Sequence, residues 1–211
     1  MYDYLNNCDL NSQEFWLVIR LYLVASIPLF LLIYYLLIAK KYSKSIFLTL
    51  LSCFLIVVFG WELWLTYGLA GGLPVDLRRT ASLSCAIPIN LNWLLNSLGD
   101  VLIIWVGLFL VKFIYRNNDS PFLKWKWGAF FILFSWFMFQ NLYIEAFFYN
   151  NQLGVNGDLS WAPLIPFGSW FNPELFKIAG NPITFQAQSS WLIMSPVVYF
   201  ISIFFNSKEK I

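Results

Sequence analysis

Residues 46–68 read IFLTLLSCFLIVVFGWELWLTYG, a run with one carboxylate, Glu62, and no lysine or arginine. About 20 apolar residues suffice for a helix to cross a hydrocarbon core ~30 Å thick, so this stretch is long enough to span a bilayer. Four others are of the same kind, at about Leu21–Ala39, Leu91–Val111, Gly128–Phe148 and Trp191–Phe205. The reading is an all-α integral membrane protein of five transmembrane helices. Residues 1–211 then form a single membrane domain, in keeping with a chain that is 60% hydrophobic and only 11% charged. Pro28 falls inside the first span, where a kink is expected.

The basic residues give an orientation. Lys40, Lys41 and Lys44, then Lys112, Arg116, Lys124 and Lys126, and finally Lys208 and Lys210 flank the spans on one face, which puts nine of the thirteen Lys and Arg on that side. The other side receives Arg20, Arg78, Arg79 and Lys177. Cytoplasmic edges carry the basic excess, so the N-terminus is expected outside and the C-terminus in the cytoplasm, in a plasma or inner membrane. The N-terminal segment has no basic residue before Arg20 and so lacks the pattern of a secretory signal peptide.

Between the fourth and fifth spans, residues 149–190 interleave Trp161, Phe167, Trp170 and Phe171 with Pro163, Pro166, Pro173 and Pro182. Trp-rich segments at span ends sit at headgroup depth, so this segment is expected to be an aromatic interfacial flap on the outer face. Within it, Asn172-Pro173-Glu174 reads as the cap and first turn of a short helix.

Several functions are excluded by composition. The chain has no histidine, which removes histidine-ligated di-iron and haem centres and any catalytic triad with a His base. A net charge of +2 without a basic run does not suit nucleic acid. Cys8, Cys53 and Cys85 have no short metal-binding spacing, and no cofactor or metal motif is found. In the orientation above, Cys8 and Cys85 share the outer side, where they could pair.

Three acids lie within the apolar runs, and there a carboxylate costs several kcal/mol unless it is partnered or wet. From the helical rise, Glu62 lies roughly 24 Å, Glu145 roughly 26 Å and Asp100 roughly 18 Å from the inner face, all in the outer half. Asn92, Asn96 and Asp100 follow an i, i+4, i+8 spacing that stacks them on one helix face; Asn141 and Glu145, beside Gln140, and Glu62 with Thr66 repeat the i, i+4 pattern. Arg20, Arg78 and Arg79 are the nearby cations.

The combined expectation is an outward-facing polar pocket. Asp100, Glu145 and Glu62 are its catalytic candidates, and Asn92, Asn96, Gln140, Asn141, Arg78 and Arg79 its binding candidates. The bland alternative is that amides and acids simply hold helices together, at about 1 kcal/mol each.

Three function classes follow. One is binding of a lipid-like or lipophilic small molecule, with acid-catalysed chemistry on it if one carboxyl is neutral and another ionised. A second is an accessory or assembly subunit whose polar stripes face membrane-protein partners. The third, a small transporter, is disfavoured by the apolar inner halves VLIIWVGLFLV and GAFFILFSWFMF. In each case membrane lipids are the immediate surroundings.

Overall fold

A computed structural model describes residues 7–34, 37, 44–68, 73–117, 120–148 and 173–208. Helix α1 spans Ser12–Ile33, α2 Lys44–Phe59 and α3 Trp61–Tyr67. Two short helices follow, α4 at Val75–Arg78 and α5 at Ala81–Ala86. The long α6 is Ile89–Ile114, and α7, Trp127–Tyr143, runs into a π-helical turn at Ile144–Phe148. Strands β1 (Glu174–Ile178) and β2 (Asn181–Thr184) precede α8, Phe185–Lys208. Among the described residues five helices are long and apolar enough to cross a membrane, α2 and α3 together counting as one.

These helices are apolar on the outside as well as within. Only 17% of the apolar window of α1 and 39% of that of α6 is buried, while Phe30, Phe59, Phe109, Phe131 and Phe200 point outward. A water-soluble protein rarely exposes so much contiguous apolar surface; lipid tolerates it. Hydrocarbon also gives helices little reason to associate by hydrophobicity, so close packing has to hold them. Gly107 illustrates this: a Cβ there would meet Leu133, Trp136 and Phe137 at 2.7–3.0 Å, so α6 and α7 are in contact at this point.

Helix α6 packs against α1, α2 and α7, and α8 closes the bundle against α2 and α7. Ile104, Leu108 and Val111 of α6 form one core with Val57, Leu133, Phe137, Met194, Val198 and Tyr199. The hydroxyls of Thr49, Ser97, Ser195 and Ser202 donate to the carbonyl four residues earlier, which satisfies them within their own helices. At the end away from the termini of α3, the buried Tyr199 hydroxyl donates to the Pro121 carbonyl at 2.8 Å and accepts from the Lys126 amide at 3.1 Å.

The opposite end is tied by polar and covalent links. Asn11 caps α1: its Oδ1 accepts from the Glu14 amide at 2.9 Å while Glu14 accepts from the Asn11 amide at 3.1 Å. Helix α1 therefore starts at Ser12, earlier than the expected Leu21. The Thr80 hydroxyl donates to Glu14, and Tyr22 donates to the Ala86 carbonyl. Cys8 and Cys85 are disulfide-bonded, with Cα atoms 5.6 Å apart.

Two expectations are corrected. Residues 174–184 form an antiparallel hairpin instead of a short helix, so the described fold is not purely α. Ala179 and Gly180, both at positive φ, make a two-residue turn between Ile178 and Asn181, and that turn matches the twist of paired strands. Residues 185–190 belong to α8 and not to a flap. The remainder of the expected flap, residues 149–172, lies outside the described residues, as do Lys40, Lys41 and Lys210.

Closing 77 residues of chain separation, the disulfide should stabilise the fold by about 4 kcal/mol in the loop-entropy view. Denatured protein treated with a maleimide polymer should therefore take one label, on Cys53, before reduction and three after it. Three labels without reduction would refute the bridge.

Candidate functional site

The site begins with a broken helix. At Gly60 the backbone leaves the α2 path (φ −90°, ψ −117°) and restarts as α3. A Cβ on residue 60 would stand 2.3 Å from the Ile56 carbonyl oxygen, so only glycine fits without displacing backbone. A break inside an apolar helix leaves carbonyls without their usual donors. Trp93 of α6 meets one of them, donating from Nε1 to the Val58 carbonyl at 2.7 Å.

Beyond the break, α3 carries Trp61 and Glu62 toward α6. Trp61 Nε1 donates to Asp100 Oδ2 at 2.9 Å. Glu62 is 7% exposed, and its Oε2 has no hydrogen-bond partner among the described residues. Neither acid is ion-paired with a described lysine or arginine.

Both acids line a cavity of about 640 Å³, within the ~300–1,000 Å³ typical of small-molecule sites. Every one of the five long helices contributes: Leu17 and Val24 from α1, Trp64 and Leu65 from α3, Ile103 from α6, Ile144 after α7, and Trp191 from α8. The walls are mainly apolar. Asn92, Asn96 and Asp100 all reach the cavity, as their spacing on one helix face requires, and Asn141 and Arg79 reach it too.

Arg79 is a structural anchor at this wall. Its guanidinium donates to Asp76 Oδ1 at 2.6 Å, Asn92 Oδ1 at 3.1 Å, Ser84 Oγ at 3.1 Å and the Ile87 carbonyl. Asn92 in turn donates to Thr66 at 3.4 Å, joining the loop helices to α6 and α3. Burial pulls the Arg79 pKa below its usual value, while the hydrogen bond and charge of Asp76 hold it up.

Three expected members are not part of the cavity lining. Arg78 donates to the Leu73 carbonyl at 2.9 Å and to the Leu65 carbonyl. Gln140 turns back to the Phe137 carbonyl. Glu145 sits in the π-helical turn, whose i→i+5 spacing rotates it off the face that carries Asn141. Its Oε1 accepts from the Thr184 amide at 2.9 Å and the Thr184 hydroxyl at 2.6 Å, and its Oε2 accepts from Gln188 at 2.6 Å. Glu145 thus caps the start of α8, the position where a helix favours negative charge. Asn141 adds a bond to the Ala187 carbonyl at 2.7 Å.

Trp61, Trp64 and Trp191, with Gln186, Ser189 and Ser190 of α8, line the cavity without a spacing pattern that marks them. For Trp61 the signal was the Gly60-Trp61-Glu62 sequence, a helix breaker beside an aromatic donor and an acid. Trp61 and Trp191 pack with ring centroids 6.0 Å apart, and Trp191 rests on Phe137 at 4.9 Å. Below them begins the packed apolar core, where the buried hydroxyls of Ser195 and Ser202 donate within their own helix.

The fold and site together define a class: a bundle of five membrane-length helices with an acid-lined cavity at one end. Comparison with protein-family models, curated proteins and solved structures finds no match. Among the described residues, no group of three or more Cys, Asp or Glu side chains is placed to hold a metal ion.

Two measurements separate the structural acid from the cavity acids. Glu145→Leu strands three donors and should lower unfolding stability in detergent by about 3 kcal/mol, followed by tryptophan fluorescence. Glu145→Gln, which keeps acceptors for Thr184, should lose less than half of that. Gly60→Ala, by contrast, should straighten the α2–α3 junction at a cost of about 1–3 kcal/mol and weaken the Trp61–Asp100 bond. An unchanged Trp61 indole N–H resonance in Gly60→Ala, assigned by its loss in Trp61→Phe, would show that the break does not position this residue.

Proposed function

We propose that the chain crosses the membrane five times, N-terminus outside and C-terminus cytoplasmic, and that its cavity receives a lipophilic ligand from the outer side. The observation that carries the ligand reading is the cavity itself, about 640 Å³ with mainly apolar walls and two carboxyl groups that no described lysine or arginine ion-pairs. Apolar walls suit a hydrocarbon body, and convergent polar groups suit a functional head.

The orientation is supported by the basic residues of the sequence and by the Cys8–Cys85 bridge, which lies at the cavity end. Disulfides persist on the outer side of a plasma or inner membrane. Glu62 and Asp100 face the same cavity, an arrangement that suits proton exchange with a bound molecule. Transport through the bundle is disfavoured by the packed core of Ile104, Leu108, Leu133 and Val198.

Native mass spectrometry in a mild detergent tests this reading. Wild-type protein should retain a small lipophile that Asp100→Asn, which preserves shape but not charge, loses at least tenfold. Stoichiometric protein partners with no bound lipophile would instead identify an accessory subunit of a larger complex.

A further inference from the structure

An ionised carboxylate in a low-dielectric site is costly unless an opposite charge or several donors meet it. Glu145 has three donors, and Asp76 has Arg79. Glu62 and Asp100 are treated differently. Among the described residues Asp100 receives one side-chain hydrogen bond, from Trp61, and Glu62 Oε2 receives none although Glu62 is only 7% exposed. Two arginines line the cavity: Arg79 is taken up by Asp76, Asn92, Ser84 and the Ile87 carbonyl, and Arg20 donates from Nε to the Trp16 carbonyl at 3.2 Å, so neither is ion-paired with Glu62 or Asp100.

The aromatic rings add a second, independent preference. Trp61, Trp64 and Trp191 line the same cavity, and indole faces attract cations, most strongly where water is excluded. A metal ion fits poorly, since two carboxyl groups fall short of a usual ligand set and no third Cys, Asp or Glu joins them among the described residues. A primary ammonium group offers three N–H donors and a compact positive charge, matching both acids and rings.

We infer that the ligand of this cavity carries an ammonium head group, held by Glu62 and Asp100 among the indoles of Trp61, Trp64 and Trp191. The assignment rests on the proposed binding of a lipophile and names its chemical class. An amino-headed phospholipid and a free long-chain amine share this chemistry.

The test uses full-length protein in nanodiscs of phosphatidylglycerol, a lipid without an ammonium group. Photoreactive alkyl diazirines of equal chain length carry an ammonium, a hydroxyl or a carboxylate head. The readout is labelling of residues 61–67 and 185–193, divided by labelling of the outward-facing Phe109 and Phe113.

The ammonium probe should exceed the hydroxyl probe by at least tenfold, and Glu62→Gln and Asp100→Asn should each reduce that ratio severalfold. Because the head-group ratio is measured on wild type, the result does not depend on either variant folding. Competition by phosphatidylethanolamine but not by dodecylamine would identify the phospholipid as the source, and the reverse pattern the free amine; either supports the assignment. Equal labelling by the ammonium and hydroxyl probes, or preference for the carboxylate, would overturn the head group while leaving the lipophile reading standing. No cavity labelling by any probe would overturn both.

Discussion

An apolar helix can bend sharply only where it gives up backbone hydrogen bonds, and at Gly60 it does so inside a segment long enough to cross a membrane. The geometry of the cavity depends on that concession. An unbroken helix would carry Trp61 and Glu62 on along the α2 axis; the restart as α3 brings the Trp61 indole to Asp100 and Glu62 to the cavity wall. The freed Val58 carbonyl is answered by Trp93, so the break is matched by a donor from the helix it packs against. One missing Cβ therefore governs both the backbone and the polar centre.

Buried carboxyl and amide side chains gather at one end of the bundle, whereas toward the other the buried hydroxyls of Thr49, Ser195 and Ser202 are satisfied within their own helices. At the cavity end the loop helices are secured by a disulfide, by Arg79 and by the Glu14–Thr80 and Tyr22–Ala86 contacts. These links fix the α4–α5 segment against α1, which forms one cavity wall. At the other end, aromatic rings and Tyr199 fill the space between α7 and α8. Rigid support around an open volume is what a preorganised binding site needs, since ordering after binding would subtract from affinity.

The sequence made the five apolar helices legible because each depends on a run of residues and not on any single contact. The polar stripe of α6 was equally legible, since the i, i+4, i+8 spacing of Asn92, Asn96 and Asp100 places all three on one face whatever surrounds them. The start of α1 is written in Asn11-Ser12-Gln13-Glu14, a capping box that lies in a polar stretch ahead of the apolar run. The hairpin at residues 174–184 was missed because Pro173 and Glu174 mimic a helix start, whereas the deciding signal was the Ala179-Gly180 turn downstream. Glu145 misled for a different reason: its i, i+4 partnership with Asn141 presumed regular α-helix, and the π-helical turn is not written in hydropathy.

The contrast between Glu145 and Glu62 separates two uses of the same side chain. Both are buried glutamates near the polar end of an apolar helix, and on sequence alone they are equivalent. Glu145 is met by a backbone amide, a hydroxyl and a side-chain amide, all from the junction of β2 with α8, so removing it would disturb the junction. Glu62 has an oxygen that no described group reaches and an accessible volume in front of it. A fold that can supply three donors to one carboxylate could have supplied them to another. Where it leaves one unmet beside a cavity, the missing partner is more economically sought in what enters that cavity than in a flaw of packing.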